Sequence, residues 1–286
     1  MPDALRVQVR EAGALVVRRV PVEDYVAATI LSEFDPASGD ERTVERMLEV
    51  QAIVSRSYAM AQRARHVRDA FDVCSTSRCQ VYEPARLRTS RWADLARRAA
   101  ARTRGRILLY DGAPAEALFH ADCGGHTSSA AAVWGGTSVP YLVGDRDSVE
   151  HPHDDWTFDA DSSALRDALQ ADPRTAVGDK LTRIEMESRD TAGRAERIVL
   201  EGARTVTVRG EVFREVVTRR FGAASLRSTL FSVSRTRTGF LFRGKGFGHG
   251  VGLCQDGALA RLAGGATPDE VLTHYFPGTI LSGLPD

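Results

Sequence analysis

The chain has almost no lysine, no asparagine, no net charge and no long apolar run, and most of these shortages remove a class of reading. Arginine carries nearly all the positive charge, with Lys180 and Lys245 the only lysines. That bias is what a GC-rich coding sequence produces, and it carries no functional information. The 38 basic residues are cancelled by 38 acidic ones, so nothing global selects a nucleic acid or an anionic membrane as partner. No stretch reaches the roughly 18 to 20 consecutive apolar residues of a membrane-spanning helix. The first ten residues alternate like a strand instead of reading as a signal peptide. The expectation is therefore either a cytoplasmic protein or the mature part of an exported one. Four cysteines, Cys74, Cys79, Cys123 and Cys254, fit either compartment. No H-E-x-x-H or G-x-S-x-G is present, which leaves zinc-protease and serine-hydrolase readings without their usual support.

What remains is enough apolar residue, 43% of 286, to build a real core. Residues 5–20 read as two strands, LRVQV and ALVVRRV, split by a turn at Gly13. Pro21 opens a helix whose apolar positions Val22, Val26, Ile30 and Phe34 recur at helical spacing, until Asp35-Pro36 stops it. A second helix is expected from a Ser38-x-x-Glu41 capping box to about His66, with Val44, Leu48, Gln51, Ser55 and Tyr58 on its core stripe. Gln51 and Ser55 stand where apolar side chains belong, so they need polar partners inside. An arginine-rich surface helix is expected over 89–104, then strands ILLY and AEALFH around Asp111-Gly112. Residues 150–179 read as acidic and irregular, with HPHDD and ADPRTAVGD as loops. From 182 to 242 the pattern is of strands (RIVLEG, RTVTVRG, STLFSVS) with one short helix at Arg214–Phe221, and helices are expected again at Ala258–Arg261 and Pro268–Tyr275.

Three places carry candidate chemistry. Glu33 lies on the apolar stripe of its helix and near the helix C-terminus. Burial and the negative end of the helix dipole both disfavour its charged form. A carboxylic acid held protonated near neutral pH is what protonation of a glycosidic oxygen requires; the alternative is a helix-end glutamate turned to solvent. In FHADCGGHTSS (119–129), two histidines, a cysteine and a glycine pair fall within seven residues. His120 and His126 fit three roles: metal ligands, hydrogen-bonding groups for sugar hydroxyls, or satisfied core polar groups. In RGKGFGHGVGLCQDGA, glycines at 244, 246, 248, 250 and 252 would share one face of an extended chain, against which a polymer ligand or another backbone would lie. Neither G-x-G-x-x-G nor a P-loop is matched, so nucleotide binding is not expected. Cys74 and Cys79 are too far apart in CSTSRC for C-x-x-C chemistry; they suit a disulfide or, with His66, a three-ligand metal site. Cys123 and Cys254, each inside a candidate segment, are expected to be close in space.

Taken in order, VPVEDYVAATILSEFDP, EVQAIVSRSYA, DVCSTSRCQVY, FHADCGGHTSS, STLFSV and GKGFGHGVGLCQDGA resemble the stage II sporulation protein D family, also called the SpoIID/LytB or amidase-enhancer domain. The resemblance spans nearly the whole chain. It implies an α+β fold, with mixed helices and antiparallel strands forming two lobes around a glycan-binding cleft. The chain would be a single SpoIID/LytB-like domain over 1–286 with a β-rich subdomain inserted at about 155–240. Active members are lytic transglycosylases that cut between N-acetylmuramic acid and N-acetylglucosamine, favouring strands without stem peptides; the family's catalytic glutamate falls on Glu33. Gln51, Ser55, Arg56 and Tyr58 match its helix motif, and His120, Gly124, His126, Thr127, His249 and Gln255 match its cleft segments, implying contact with substrate. Peptidoglycan glycan strands, and a cell-wall amidase for non-catalytic members, are the implied partners, and the implied location is extracytoplasmic. Two departures stand out. The family's Glu-Met-Pro turn is Glu33-Phe34-Asp35-Pro36 here. Some members bind zinc through two cysteines and two histidines, but Arg78 stands where a histidine is expected, leaving His66, Cys74 and Cys79, and no cofactor is expected to be required. A zinc hydrolase built on His120, His126 and the cysteines is the third reading.

Overall fold

A computed structural model describes residues 2–63, 65–149, 153 and 155–283. The chain divides into two compact units, 1–118 with 258–286 and 119–257. The architecture is mixed α/β, with small sheets of two or three strands each.

The first unit opens with the hairpin β1 (Ala4–Glu11) and β2 (Ala14–Pro21), in register from Ala4 opposite Pro21 to Glu11 opposite Ala14. Helix α1 (Val22–Glu33) follows, with Glu23 and Asp24 in its first turn, where the dipole favours negative charge. It is buried on nearly all sides, so its pattern is that of a core helix. Phe34 leaves the helix in an extended conformation, one residue before Asp35, which the steric demand of Pro36 keeps out of the helix. Helix α2 (Glu41–Gln62) buries the stripe Val44, Leu48, Gln51, Ser55 and Tyr58. Its cap differs from the expected one: Asp40, not Ser38, accepts the Thr43 amide, because it lies one residue before the helix and reaches the free N–H groups. The helix also stops at Gln62, short of His66, which precedes a 3-10 turn at 67–69.

Strand β3 (Val73–Cys74) pairs in parallel with β1. The single helix expected over 89–104 is two, α3 (Arg86–Thr89) and α4 (Ala93–Arg102). Ser90 breaks them by accepting the Trp92 amide on its hydroxyl, a local bond that competes with the helix ladder. Strands β4 (Arg106–Tyr110) and β5 (Ala113–Pro114) flank Asp111-Gly112, both at positive φ, the backbone of a two-residue hairpin turn. Of AEALFH, only Phe119 and His120 form the later strand β6 (Phe119–His120).

The second unit continues with α5 (Ala130–Trp134) and β7 (Asp155–Asp161), then α6 (Ser162–Gln170). The acidic, irregular reading of 150–179 is thereby corrected. Asp155, Thr157, Asp159 and Asp161 are the solvent face of a strand whose other face holds Trp156, Phe158 and Ala160. Of HPHDD, residues 151, 152 and 154 lie outside the described residues and Asp155 already belongs to β7, whereas 171–179 is loop. Strands β8 (Leu181–Arg189), β9 (Ala195–Gly202) and β10 (Thr205–Arg209) form an antiparallel sheet. Helix α7 (Gly210–Phe221) begins four residues before the expected Arg214. Strands β11 (Phe231–Arg235) and β12 (Gly239–Lys245) join β7 in the order β11-β12-β7. Trp156, Leu169, Ile198, Phe213, Val217, Phe231 and Phe242 lie in the core of this unit.

The glycine-alternating stretch is not the extended ribbon expected. Only Gly244 lies in β12, and Gly246, Gly248, Gly250 and Gly252 all adopt left-handed φ, between 72° and 108°. The alternation supplies a backbone that L side chains rarely adopt, at every second position. Beyond it come β13 (Leu253–Cys254), parallel to β6, and α8 (Gln255–Ala263). The chain re-enters the first unit within α8, at Ala258, and continues with α9 (Pro268–Tyr275), whose N-terminus carries a capping box of Thr267 and Glu270, and β14 (Ile280–Gly283), antiparallel to β4. Among the described residues no helix is long and apolar enough to cross a membrane.

Candidate active site

Glu33 is the last residue of α1 and is half-buried. The Val81 amide donates to its Oε1 at 2.5 Å. Burial pushes the carboxyl up to about 7, against the pull of that hydrogen bond. Segment 80–83 is stapled along α1 to make this contact. The Tyr25 hydroxyl donates to Gln80 Oε1 at 2.9 Å, the Glu83 amide donates to Ser32 Oγ at 2.9 Å, and the Tyr25 and Tyr82 rings stack at 5.3 Å. Nothing in the spacing of QVYE marks it as a partner for Glu33, because the pairing spans 48 residues. Asp35 is engaged by Ser90, which donates to it at 2.7 Å, and by Arg86 at 3.3 Å.

The helix-motif residues are placed inside the first unit. Gln51 Nε2 donates to Ser55 Oγ at 3.3 Å, the internal polar partnership their positions demand. Tyr58 is buried. Arg56 is fully buried, with Nε on Glu23 Oε1 at 3.1 Å, Nη2 on Glu23 Oε2 at 2.6 Å and Nη1 on the Arg106 carbonyl at 3.1 Å. A guanidinium held this way fixes α1 against α2 and the 100–106 segment, so any effect it has on a ligand is transmitted through the fold.

Cys74 and Cys79 bring their sulfurs to 2.7 Å, and Cys79 Sγ is 3.4 Å from His66 Nε2. Tetrahedral zinc with bonds of about 2.3 Å holds two sulfurs about 3.8 Å apart. Burial raises the Cys74 thiol, but the hydrogen bonds from Cys79 and Thr76 and the exposed Arg78 cation bring it below its usual value. Arg78 thus offers a positive charge where a zinc site would want a fourth donor. Among the described residues, the side chains whose ligand atoms all fall within 4.8 Å of one another are Asp122, Cys123 and Cys254, all buried. The expected proximity of Cys123 and Cys254 is thus met.

In the second unit the two glycine-rich motifs pack on each other. Asp122 and Phe247 exchange backbone hydrogen bonds at 3.0 and 2.9 Å, and the Ser128 amide donates to the Gly250 carbonyl at 2.7 Å. A Cβ on Gly248 would lie 2.7 Å from His120 Cβ, and one on Gly246 would lie 2.8 Å from the Asp122 carbonyl oxygen. The side-chain-free positions are therefore filled by the protein's own chain, and Gly124 likewise faces Leu230. Arg194, 1% exposed, ties the motifs together through the Cys123 carbonyl at 2.7 Å and the Gly248 carbonyl at 3.2 Å. In sequence it reads as one more hairpin arginine, with no signal of this role.

His120 and His249 come together at 5.5 Å between ring centroids, and Trp134 lies 5.1 Å from His249. Burial, reinforced by Arg194 and Arg214, drives His120 well below the usual histidine range and His249 down to about 3, so both are neutral. The Val251 carbonyl lies 3.2 Å from His120 Nδ1, which must carry the proton, so Nε2 presents a lone pair; that atom is buried and without a hydrogen-bond partner. Thr127 is engaged with the Asp145 backbone at 2.8 and 3.1 Å, His126 Nδ1 faces the Thr127 carbonyl, and Gln255 is buried at the start of α8.

A model of the stage II sporulation protein family (SpoIID) matches residues 10–110, the stretch that carries Glu33 and the segment stapled to it. A second model, described as a domain of unknown function (DUF8618), matches 153–252. The chain is 31% identical to an uncharacterized protein of Brachyspira hyodysenteriae, over 92% of this chain and 67% of that one. It is 29% identical to stage II sporulation protein D of Bacillus subtilis, over 93% and 76%, and 25% identical to the amidase enhancer of the same organism, over 82% and 38%. A family model on the acid-bearing helices, together with relatives aligned over more than nine-tenths of the chain, establishes that this protein belongs to the stage II sporulation protein D family.

Proposed function

We propose that the protein is a lytic transglycosylase that cleaves peptidoglycan between N-acetylmuramic acid and N-acetylglucosamine, acting outside the cytoplasm on strands stripped of stem peptides. The observation that carries this reading is Glu33 at the end of α1, whose carboxyl is raised to about 7 by burial. Half of such a group is protonated at neutral pH, the condition for a general acid. In the proposed step Glu33 gives its proton to the bridging glycosidic oxygen while the muramyl C1–O bond breaks and C1 gains oxocarbenium character. The carboxylate then takes the proton of the muramyl 6-hydroxyl as that oxygen bonds to C1. The product is a 1,6-anhydro sugar, and Glu33 returns to its acid form. One group serves both halves, so the step needs no second carboxylate, unlike the paired arrangement of ordinary glycosidases. It needs no cofactor either. Gln51, Ser55, Arg56 and Tyr58 support the acid's helix, while His120, His126 and His249 serve the sugar.

The test is mass spectrometry of peptidoglycan glycans, with and without stem peptides, after incubation with wild type and with Glu33→Gln. Anhydromuramyl products from wild type alone are expected; retained activity in the variant would sink the assignment, and reducing-end products would mean hydrolysis. The likeness to an amidase enhancer supports a second reading, a non-catalytic wall-binding module that stimulates an amidase. Strands bound but left uncut by both proteins would favour it.

A further inference from the structure

We infer that Trp134 is a stacking platform for one pyranose ring of the bound glycan, an inference that rests on the proposed action on glycan strands. The chain has three tryptophans, and two are core residues with satisfied indoles: Trp92 Nε1 donates to the Pro36 carbonyl at 2.7 Å and Trp156 Nε1 to the Gly246 carbonyl at 3.1 Å. Trp134 is different. It is 43% exposed, and among the described residues no hydrogen bond holds its indole N–H. A large flat apolar face left in water is an informative exception, since tryptophan is ordinarily well buried.

That face is held in place. Trp134 ends α5, and Arg209 Nη1 donates to the Ala132 carbonyl of the same helix at 3.3 Å. The ring rests against His249 at 5.1 Å, with the planes tilted by 54°. His249 is itself held, since the Val251 amide donates to its Nδ1 at 3.0 Å. An aromatic already ordered by such a neighbour loses little conformational freedom when a ligand covers it. A second, independent feature points to the same class of ligand. His120, whose ring also touches His249, keeps its Nε2 lone pair buried and without a partner. That atom wants a neutral donor such as a hydroxyl or an acetamido N–H. Pyranose rings combine an apolar C–H face with equatorial donors, which suits an indole face linked through His249 to a neutral imidazole acceptor on His120. An anionic ligand would gain nothing from either group.

The test is isothermal titration calorimetry of the full chain carrying Glu33→Gln, which is expected to hold glycan without consuming it. The ligands are chitohexaose and amidase-stripped peptidoglycan strands. Adding Trp134→Ala is expected to weaken binding about tenfold, with Trp134→Phe recovering part of the loss and the melting temperature unchanged. Equal affinity with and without Trp134→Ala would overturn the inference and leave the proposed cleavage standing. Failure of the parent to bind either glycan would also overturn it. Absence of anhydromuramyl products from wild type would separately count against the cleavage reading.

Discussion

Glu33 links burial, the proposed catalysis and stability in one titration. Its folded pKa, about 7, lies above the ordinary glutamate value of 4.5. The folded protein therefore binds a proton more tightly than the unfolded chain between those two values, and stability falls as pH rises through that window. Glu33→Gln mimics the neutral form, so at pH 8 it should be more stable than wild type, by about 1 kcal/mol once the partial solvent contact is discounted. At pH 4.5 the difference should nearly vanish; parallel thermal melts at the two pH values read this directly. The cleavage proposed for Glu33 should fall as pH rises through about 7, with the loss tracking the deprotonation of this group. Arg56 makes the opposite kind of statement. The family resemblance puts it at the substrate, yet it is a buried clamp on Glu23 and two backbone carbonyls. Arg56→Met leaves those partners unmatched and should cost about 3 kcal/mol in denaturant unfolding. A role confined to direct substrate contact would leave stability untouched.

At the scale of elements, caps and glycines decide more than periodicity. Asp40→Ala should remove about 1 kcal/mol by leaving the first turn of α2 uncapped, whereas Ser38→Ala should be nearly neutral. The glycine run separates two costs. A Cβ added at Gly265, where φ is +99°, would meet nothing within 4 Å, so Gly265→Ala should cost only the left-handed backbone, about 1 to 2 kcal/mol. Gly250 has a similar φ, but its Cβ would fall 2.4 Å from Nε of the buried Arg194, so Gly250→Ala should cost on the order of 3 kcal/mol, with the excess visible in the melting temperature. The hairpin β1–β2, the core helix α1 and the stripe of α2 are legible in sequence because each is a local repeat with a clear stop. Strand β7 is not, because its solvent face is acidic and acidity reads as loop. The glycine stretch misleads for a related reason: alternation implies a strand only where φ is negative, and spacing does not report the sign of φ.

At the scale of the molecule, the two units differ in how the chain builds them. Residues 119–257 are one continuous stretch with a core of their own around Phe213, Phe231 and Phe242. Residues 1–118 depend on the C-terminal return, since β14 completes the edge of β4 and Arg106 pairs with Asp269 at 2.9 Å. The fragment 119–257 should therefore show a cooperative thermal transition alone, while 1–118 should melt well below the full chain. Circular dichroism on both fragments tests this, and a non-cooperative 119–257 would refute it.

By itself the sequence determined what local repetition and residue chemistry can carry: the helices that deliver Glu33 to a helix end, the polar pair Gln51 and Ser55 inside a helix stripe, and the order of motifs that identifies the family. Only the tertiary structure decided which distant groups meet. It placed Val81 on Glu33 and drew Arg56 inward onto Glu23. It threaded Arg194 between two glycine motifs and left Trp134 exposed against His249. The reason is physical: periodicity is set by the geometry of neighbouring residues, whereas burial, which gives Glu33 its proton and His120 its unmatched lone pair, depends on segments that are far apart along the chain.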